Sequence, residues 1–173
     1  PELFMSVAVT PWNGIYRREF VTENGLLFNN LKCVNDRSFY ISAILKAKSV
    51  MLLDFCMICH RVNNPESLIG QRAKNFDCHF RSFNIIRDIC ENAPENVQYL
   101  ILRYEMNDLC AWFSRFRNEY FIDLYPEMKQ FLNSVNITEI MLKDREKEKS
   151  SWYGICSDIL KLSPCDYIKK YGI

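Results

Sequence analysis

The chain has 173 residues, of which 49% are apolar, 14% aromatic and 25% charged; this supplies a real core and is not a disordered composition. Its formal net charge of +1 argues against a dedicated duplex-DNA binder, which carries a strong basic excess. Five glycines form no Gly-rich phosphate loop, and the two histidines, His60 and His79, do not fit two-Cys, two-His zinc spacing.

No apolar run approaches the roughly 20 residues that cross a bilayer. The longest, Ser49 to Cys59, is interrupted by Asp54. A chain that opens at Pro1 without methionine reads as a piece of a longer or processed protein, so a targeting segment could have been lost. The expected location is intracellular, cytoplasmic or nuclear. Eight cysteines permit a disulfide framework. Reduced thiols are the preferred reading, because Cys90 and Cys110 fall on apolar faces of expected helices and a chain of this size needs no staples.

In chain order, the first third alternates like strands. Leu3 to Thr10 is an apolar run closed by the turn Pro11-Trp12-Asn13-Gly14. Ile15 to Thr22 follows, then Glu23-Asn24-Gly25, then Leu26 to Val34. Asn-Gly between apolar runs is a hairpin signal. Asn35-Asp36 marks another turn, and Ser38 to Ala47 is expected as a fourth strand. Val50 to Val62 fits a buried strand or a buried helix.

Asn64 and Pro65 suit the cap and first position of a short helix. Phe83, Ile86, Ile89 and Cys90 then recur at helical spacing up to Pro94. Val97, Leu100, Ile101, Tyr104, Trp112, Phe113 and Phe116 continue the pattern. Pro126 is expected to open another helix, with Met128, Phe131, Leu132 and Val135 inward. The alternating charges of residues 143–149 fit a solvated helix face or connector. Ile155, Ile159 and Leu162 form a further stripe, and Ser163-Pro164 caps a last helix ending near Gly172. The expected fold class is therefore α+β: an N-terminal antiparallel β-meander over 1–62 packed against a mainly helical portion over 63–173, in one domain.

Three patterns bear on chemistry. Cys56-Met57-Ile58-Cys59-His60 has the spacing of haem attachment and of a redox Cys-x-x-Cys pair. It follows a β-rich stretch, lies inside an apolar run and has no second pair, so core packing is the preferred reading and no metal or cofactor is expected. Lys74 to Phe83, containing His79 and Arg81, and Trp112 to Arg117 interleave aromatic with basic residues. Such stretches suit protein interface centres, and also stacking on unpaired bases with pairing to phosphate.

The third pattern is Asn35-Asp36-Arg37-Ser38-Phe39-Tyr40, with Trp152-Tyr153-Gly154 later. It resembles the nucleophile box and Trp-Gly segment of the ovarian-tumour-type cysteine proteases, a deubiquitinase family. The resemblance covers about twenty residues and implies a helix headed by the residue at 38. Ser38 stands where that family has its cysteine, and no histidine follows His79, so the resemblance implies an inactive or truncated domain.

With no catalytic group singled out, the expected function is a non-enzymatic intracellular protein–protein interaction or scaffolding module. Trp112, Arg115, Phe116, Arg117, His79 and Arg81 are the expected partner-binding residues. The partner is another protein, with single-stranded RNA as the alternative.

Overall fold

The computed structural model describes residues 13–54, 58–59, 72–114, 120–136 and 151–172. Every regular element among them is helical: α1 (Arg18–Glu23), α2 (Arg37–Lys46), a 3-10 turn (Arg72–Asn75), α3 (Asp77–Cys90), α4 (Glu95–Phe113), α5 (Tyr120–Ser134), α6 (Ser151–Lys161) and α7 (Pro164–Tyr171). The expected α+β fold with its N-terminal meander is overturned, since no strand occurs among the described residues. The chain divides into two units, Pro1–Leu102 and Arg103–Ile173.

In the first unit, local chemistry explains why strand signals became helices. Asn24-Gly25 ends α1 instead of turning a hairpin. Gly25 sits at φ 58°, its N–H donates to the Thr22 carbonyl at 3.2 Å, and the Leu26 N–H donates to the Val21 carbonyl at 3.0 Å. That pair of bonds is the Schellman stop, which needs a left-handed residue that glycine supplies without steric cost. The apolar contact that accompanies it is present, because Val21 packs on the cluster of Leu26, Phe39 and Ala43. Within α1, the Thr22 hydroxyl donates to the carbonyls of Arg18 and Glu19 at 3.1 Å each.

Expected strand Ser38 to Ala47 is α2. Its β-branched and aromatic residues look strand-like. Arg37, Ser38, Phe39, Tyr40, Ile41 and Ala43 are all buried, so the first two turns are covered on every side. A helix buried all round has no amphipathic period to read. Expected strand Leu26 to Val34 is an irregular connection. The Asn29 side chain organises it: Oδ1 accepts from the Leu31 N–H at 3.1 Å, and Nδ2 donates to Ser38 Oγ at 3.0 Å. Val34 holds φ 51°, an uncommon conformation for a β-branched residue, and is buried with Leu31, Cys33 and Cys78.

Helix α3 packs against α2. It follows the 3.6-residue period closely, burying Cys78, Ser82, Phe83, Ile86 and Cys90. The turn into α4 is held by Gln98, whose Nε2 donates to the carbonyls of Glu91 and Ala93. The expected break at Pro94 and the helix beyond it are both present.

In the second unit, α5 packs on α6 and α6 on α7. Helix α5 opens at Tyr120, so Pro126 lies inside it and does not begin it. Proline removes one backbone donor there and crowds the carbonyl four residues back. Met128, Phe131, Leu132 and Val135 are buried as their spacing predicts. Asn136, at φ 48°, follows the helix; asparagine tolerates that left-handed position better than most residues.

The α7 cap also matches the sequence. Ser163 Oγ accepts from the Asp166 N–H at 3.2 Å and donates to Asp166 Oδ2 at 2.6 Å, a reciprocal cap. Gly172 closes the helix at φ 65°. The core of this unit is aromatic. Phe113, Phe121, Tyr125 and Tyr167 are mutually packed with ring centroids 5.2 to 6.4 Å apart, and all four are buried.

Candidate interaction surface

The aromatic and basic residues expected to meet a partner separate in the structure. His79 lies in the first turn of α3, only 3% exposed, with its ring stacked 4.9 Å from Phe76. Its position gives it to the core instead of the surface. Arg81 is two residues further along α3 and exposed, as helical geometry requires of residues 100° per step apart. Lys74 is exposed just before the helix, whereas Phe76 and Phe83 are buried. The Lys74 to Phe83 stretch therefore divides into cations outside and rings inside.

Trp112 is half-buried near the end of α4, and its neighbour Phe113 is fully buried. Arg115, Phe116 and Arg117 lie outside the described residues, as do Cys56 and His60. Cys59 is exposed. Among the described residues no group of three or more His, Cys, Asp or Glu side chains could hold a metal ion.

Ser38 is the second residue of helix α2, which begins at Arg37, and it is buried. It accepts the bond from the Asn29 amide noted above. An amide donor cannot take the hydroxyl proton, so this contact does not activate an attacking oxygen.

What sequence reasoning missed is a set of exposed apolar side chains. Ten large hydrophobic residues are exposed among the described positions, and eight of them fall between 15 and 58. They are Ile15, Leu27, Phe28, Val50, Met51, Leu52, Leu53 and Ile58. Leu27 and Met51 are 78% and 79% exposed. Phe28 is anchored from below by Phe39, its ring stacked at 4.8 Å and 3°. Phe39 in turn takes the edge of Tyr16 at 5.1 Å. The loop thus presents Leu27 and Phe28 outward from a fixed base. Residues 50–54 form no helix or strand. The runs Leu26 to Leu31 and Ser49 to Leu53 contain no ionisable side chain. The missed signal was the lack of charge in these apolar-rich runs, which reads as core when a strand is expected.

In the second unit, Lys170 and Tyr171 converge on Asp158. Its Oδ2 accepts from Lys170 Nζ and Tyr171 Oη at 2.6 Å each. Burial alone would raise this carboxyl; the bonds from Lys170 and Tyr171, with the Lys170 and Lys161 charges, hold it below the usual carboxylate range. Burial first, then the Asp158 and Asp166 charges, push the Tyr125 phenol up to about 12. Burial and the Asp158 carboxylate likewise bring Tyr171 to about 12. These phenols stay neutral at physiological pH and act as hydrogen-bond donors, not as bases.

Compared with protein-family models, with curated proteins and with solved structures, the chain matches none.

Proposed function

We propose that the protein is a non-enzymatic interaction module whose partner is another protein. The observation that carries this reading is the concentration of exposed, uncharged apolar side chains in residues 15–58. Burying such residues from water gives roughly 25 cal/mol per Å², and exposed apolar groupings mark interaction sites on folded proteins. The partner is a protein with an apolar face, because the runs at 26–31 and 49–53 offer no cation to a phosphate backbone. Nucleic-acid affinity rests largely on such cations. Arg81, exposed in the same unit, remains a candidate for the rim of that contact, where polar side chains belong.

The test is affinity capture with the tagged chain, with and without RNase, beside a Leu27→Glu, Phe28→Glu variant. Supporting the proposal, a stoichiometric protein would survive RNase and be lost from the variant. Recovery abolished by RNase and unchanged in the variant would replace it with RNA binding.

A further inference from the structure

Cys110 on α4 and Cys156 on α6 face each other inside the second unit. Their sulfurs are 3.4 Å apart, in hydrogen-bond contact. Both residues are 0% exposed. Helical spacing gives each sulfur a rigid setting. Met106 and Phe113 flank Cys110 on its face of α4, and Trp152 and Ile159 flank Cys156 on its face of α6. All four flanking side chains are almost completely buried. The two thiols are 46 residues apart in sequence, so nothing local forces them together; packing of the two helices does.

A disulfide requires a sulfur separation of about 2.05 Å. The observed contact leaves about 1.4 Å to close, within reach of side-chain rotation and a small helix shift. We infer that Cys110 and Cys156 are a site of reversible oxidation, at which hydrogen peroxide converts the thiol pair into a disulfide fastening α4 to α6. One sulfur, as thiolate, attacks a peroxide oxygen. The S–O bond forms, the O–O bond breaks, and the departing hydroxide takes up the thiol proton as water. The second sulfur then displaces the hydroxyl of the sulfenic acid. The S–S bond forms, the S–O bond breaks, and a second water leaves with the remaining thiol proton. Two thiols lose two electrons, and one hydrogen peroxide is reduced.

Burial sets the character of this site. The hydrogen bond with Cys156, then burial, push the Cys110 thiol above its usual range, which slows attack because the thiolate is the reactive form. Hydrogen peroxide reaches the pair when the unit opens locally, at the frequency of that opening. A bulky disulfide oxidant is kept out while the core is closed. Cys59 and Cys165 are exposed and carry no such gate. Oxidation of the pair is therefore slower than at the surface but more selective in its product.

The experiment treats the intact, folded chain with hydrogen peroxide, quenches it, alkylates remaining thiols in denaturant, and maps linked peptides by mass spectrometry. The Cys110–Cys156 linkage should exceed any other intramolecular pair by at least about tenfold, since disulfide geometry tolerates few alternatives. It should disappear on dithiothreitol treatment, and the oxidised chain should unfold at higher denaturant than the reduced one. Cys33 and Cys78 share one core cluster of the first unit and are the internal comparison. Recovery of Cys110 and Cys156 as free thiols after exposure prolonged well beyond the time that consumes Cys59 and Cys165, and long enough for the unit to open repeatedly, would overturn the inference. So would linkage of either residue to other cysteines as often as to each other. A Cys156→Ser chain should lose the linked peptide; the wild-type map decides the question even where that variant fails to fold.

Discussion

The Tyr125 hydroxyl lies 3.3 Å from the Ile159 carbonyl oxygen and 3.3 Å from that of Leu162. One phenol on α5 thus serves the carbonyls at the end of α6, which have no partner within their own helix. Leu162 and Ser163 carry the turn into α7, which begins at Pro164, so these bonds hold α5 against the α6–α7 junction. Tyr125→Phe keeps the ring among Phe113, Phe121 and Tyr167 and deletes only the donor. We expect a loss of about 0.5–1.5 kcal/mol in unfolding free energy, measured by denaturant titration. An unchanged midpoint would show that water replaces the phenol at no cost.

Alkaline pH should loosen the second unit before the peptide itself is damaged. In the fold, Tyr125 and Tyr171 ionise near 12, whereas an unfolded phenol ionises near 10. Tyr167, fully buried, is raised further, by burial first and then by its ionisable neighbours. A group with a raised folded pKa contributes its full stability below the unfolded value and loses it as pH climbs toward the folded one. Denaturant midpoints should hold below pH 10 and fall between 10 and about 12. Asp158 acts with the opposite sign: its lowered carboxyl contributes above the unfolded carboxylate pKa, and that contribution fades as pH falls through the folded value. Phenolate absorbance followed on the folded chain checks the alkaline arm. Normal titration of every tyrosine without unfolding would refute it.

Gly25 has open space where a Cβ would stand, so Gly25→Ala tests backbone conformation without a clash. At φ 58°, an alanine costs roughly 1–2 kcal/mol, offset in part by about 0.4–1 kcal/mol from a stiffer unfolded chain. The expected net loss is about 0–1.6 kcal/mol. Gly25→Asn should lose less, because asparagine tolerates the left-handed region. Hydrogen exchange at the Gly25 and Leu26 amides, which close the α1 stop, should rise in the alanine variant.

The C-terminal half was largely legible because its elements obey simple rules. The α3 stripe, the Pro94 break, the Ser163-Pro164 cap and the Gly172 stop follow from period and cap chemistry. The N-terminal half was not, for two physical reasons. Asn24-Gly25 carries a left-handed residue that serves a hairpin or a helix stop equally, and the bonds of Val21 and Thr22 decide between them. Helix α2 is buried round its first two turns, which erases the period that separates helix from strand. At the candidate surface, aromatic and basic residues alternate in sequence around His79, but helix geometry sends them to opposite sides. Exposure of Leu27, Phe28 and Met51 was illegible because apolar runs ordinarily mean core. The Cys110–Cys156 contact depends on tertiary packing across 46 residues, which no local pattern records.

The most direct test of the interaction reading is a binding isotherm for the captured protein partner, taken with wild type, Leu27→Glu and Met51→Glu over a range of salt. Both side chains point into solvent, so the substitutions leave the core untouched. The account predicts affinity at least about tenfold weaker in one or both variants, as expected when a central apolar anchor is lost, with little dependence on salt. Affinity indifferent to both variants and collapsing as salt rises would contradict it and assign the binding to charge.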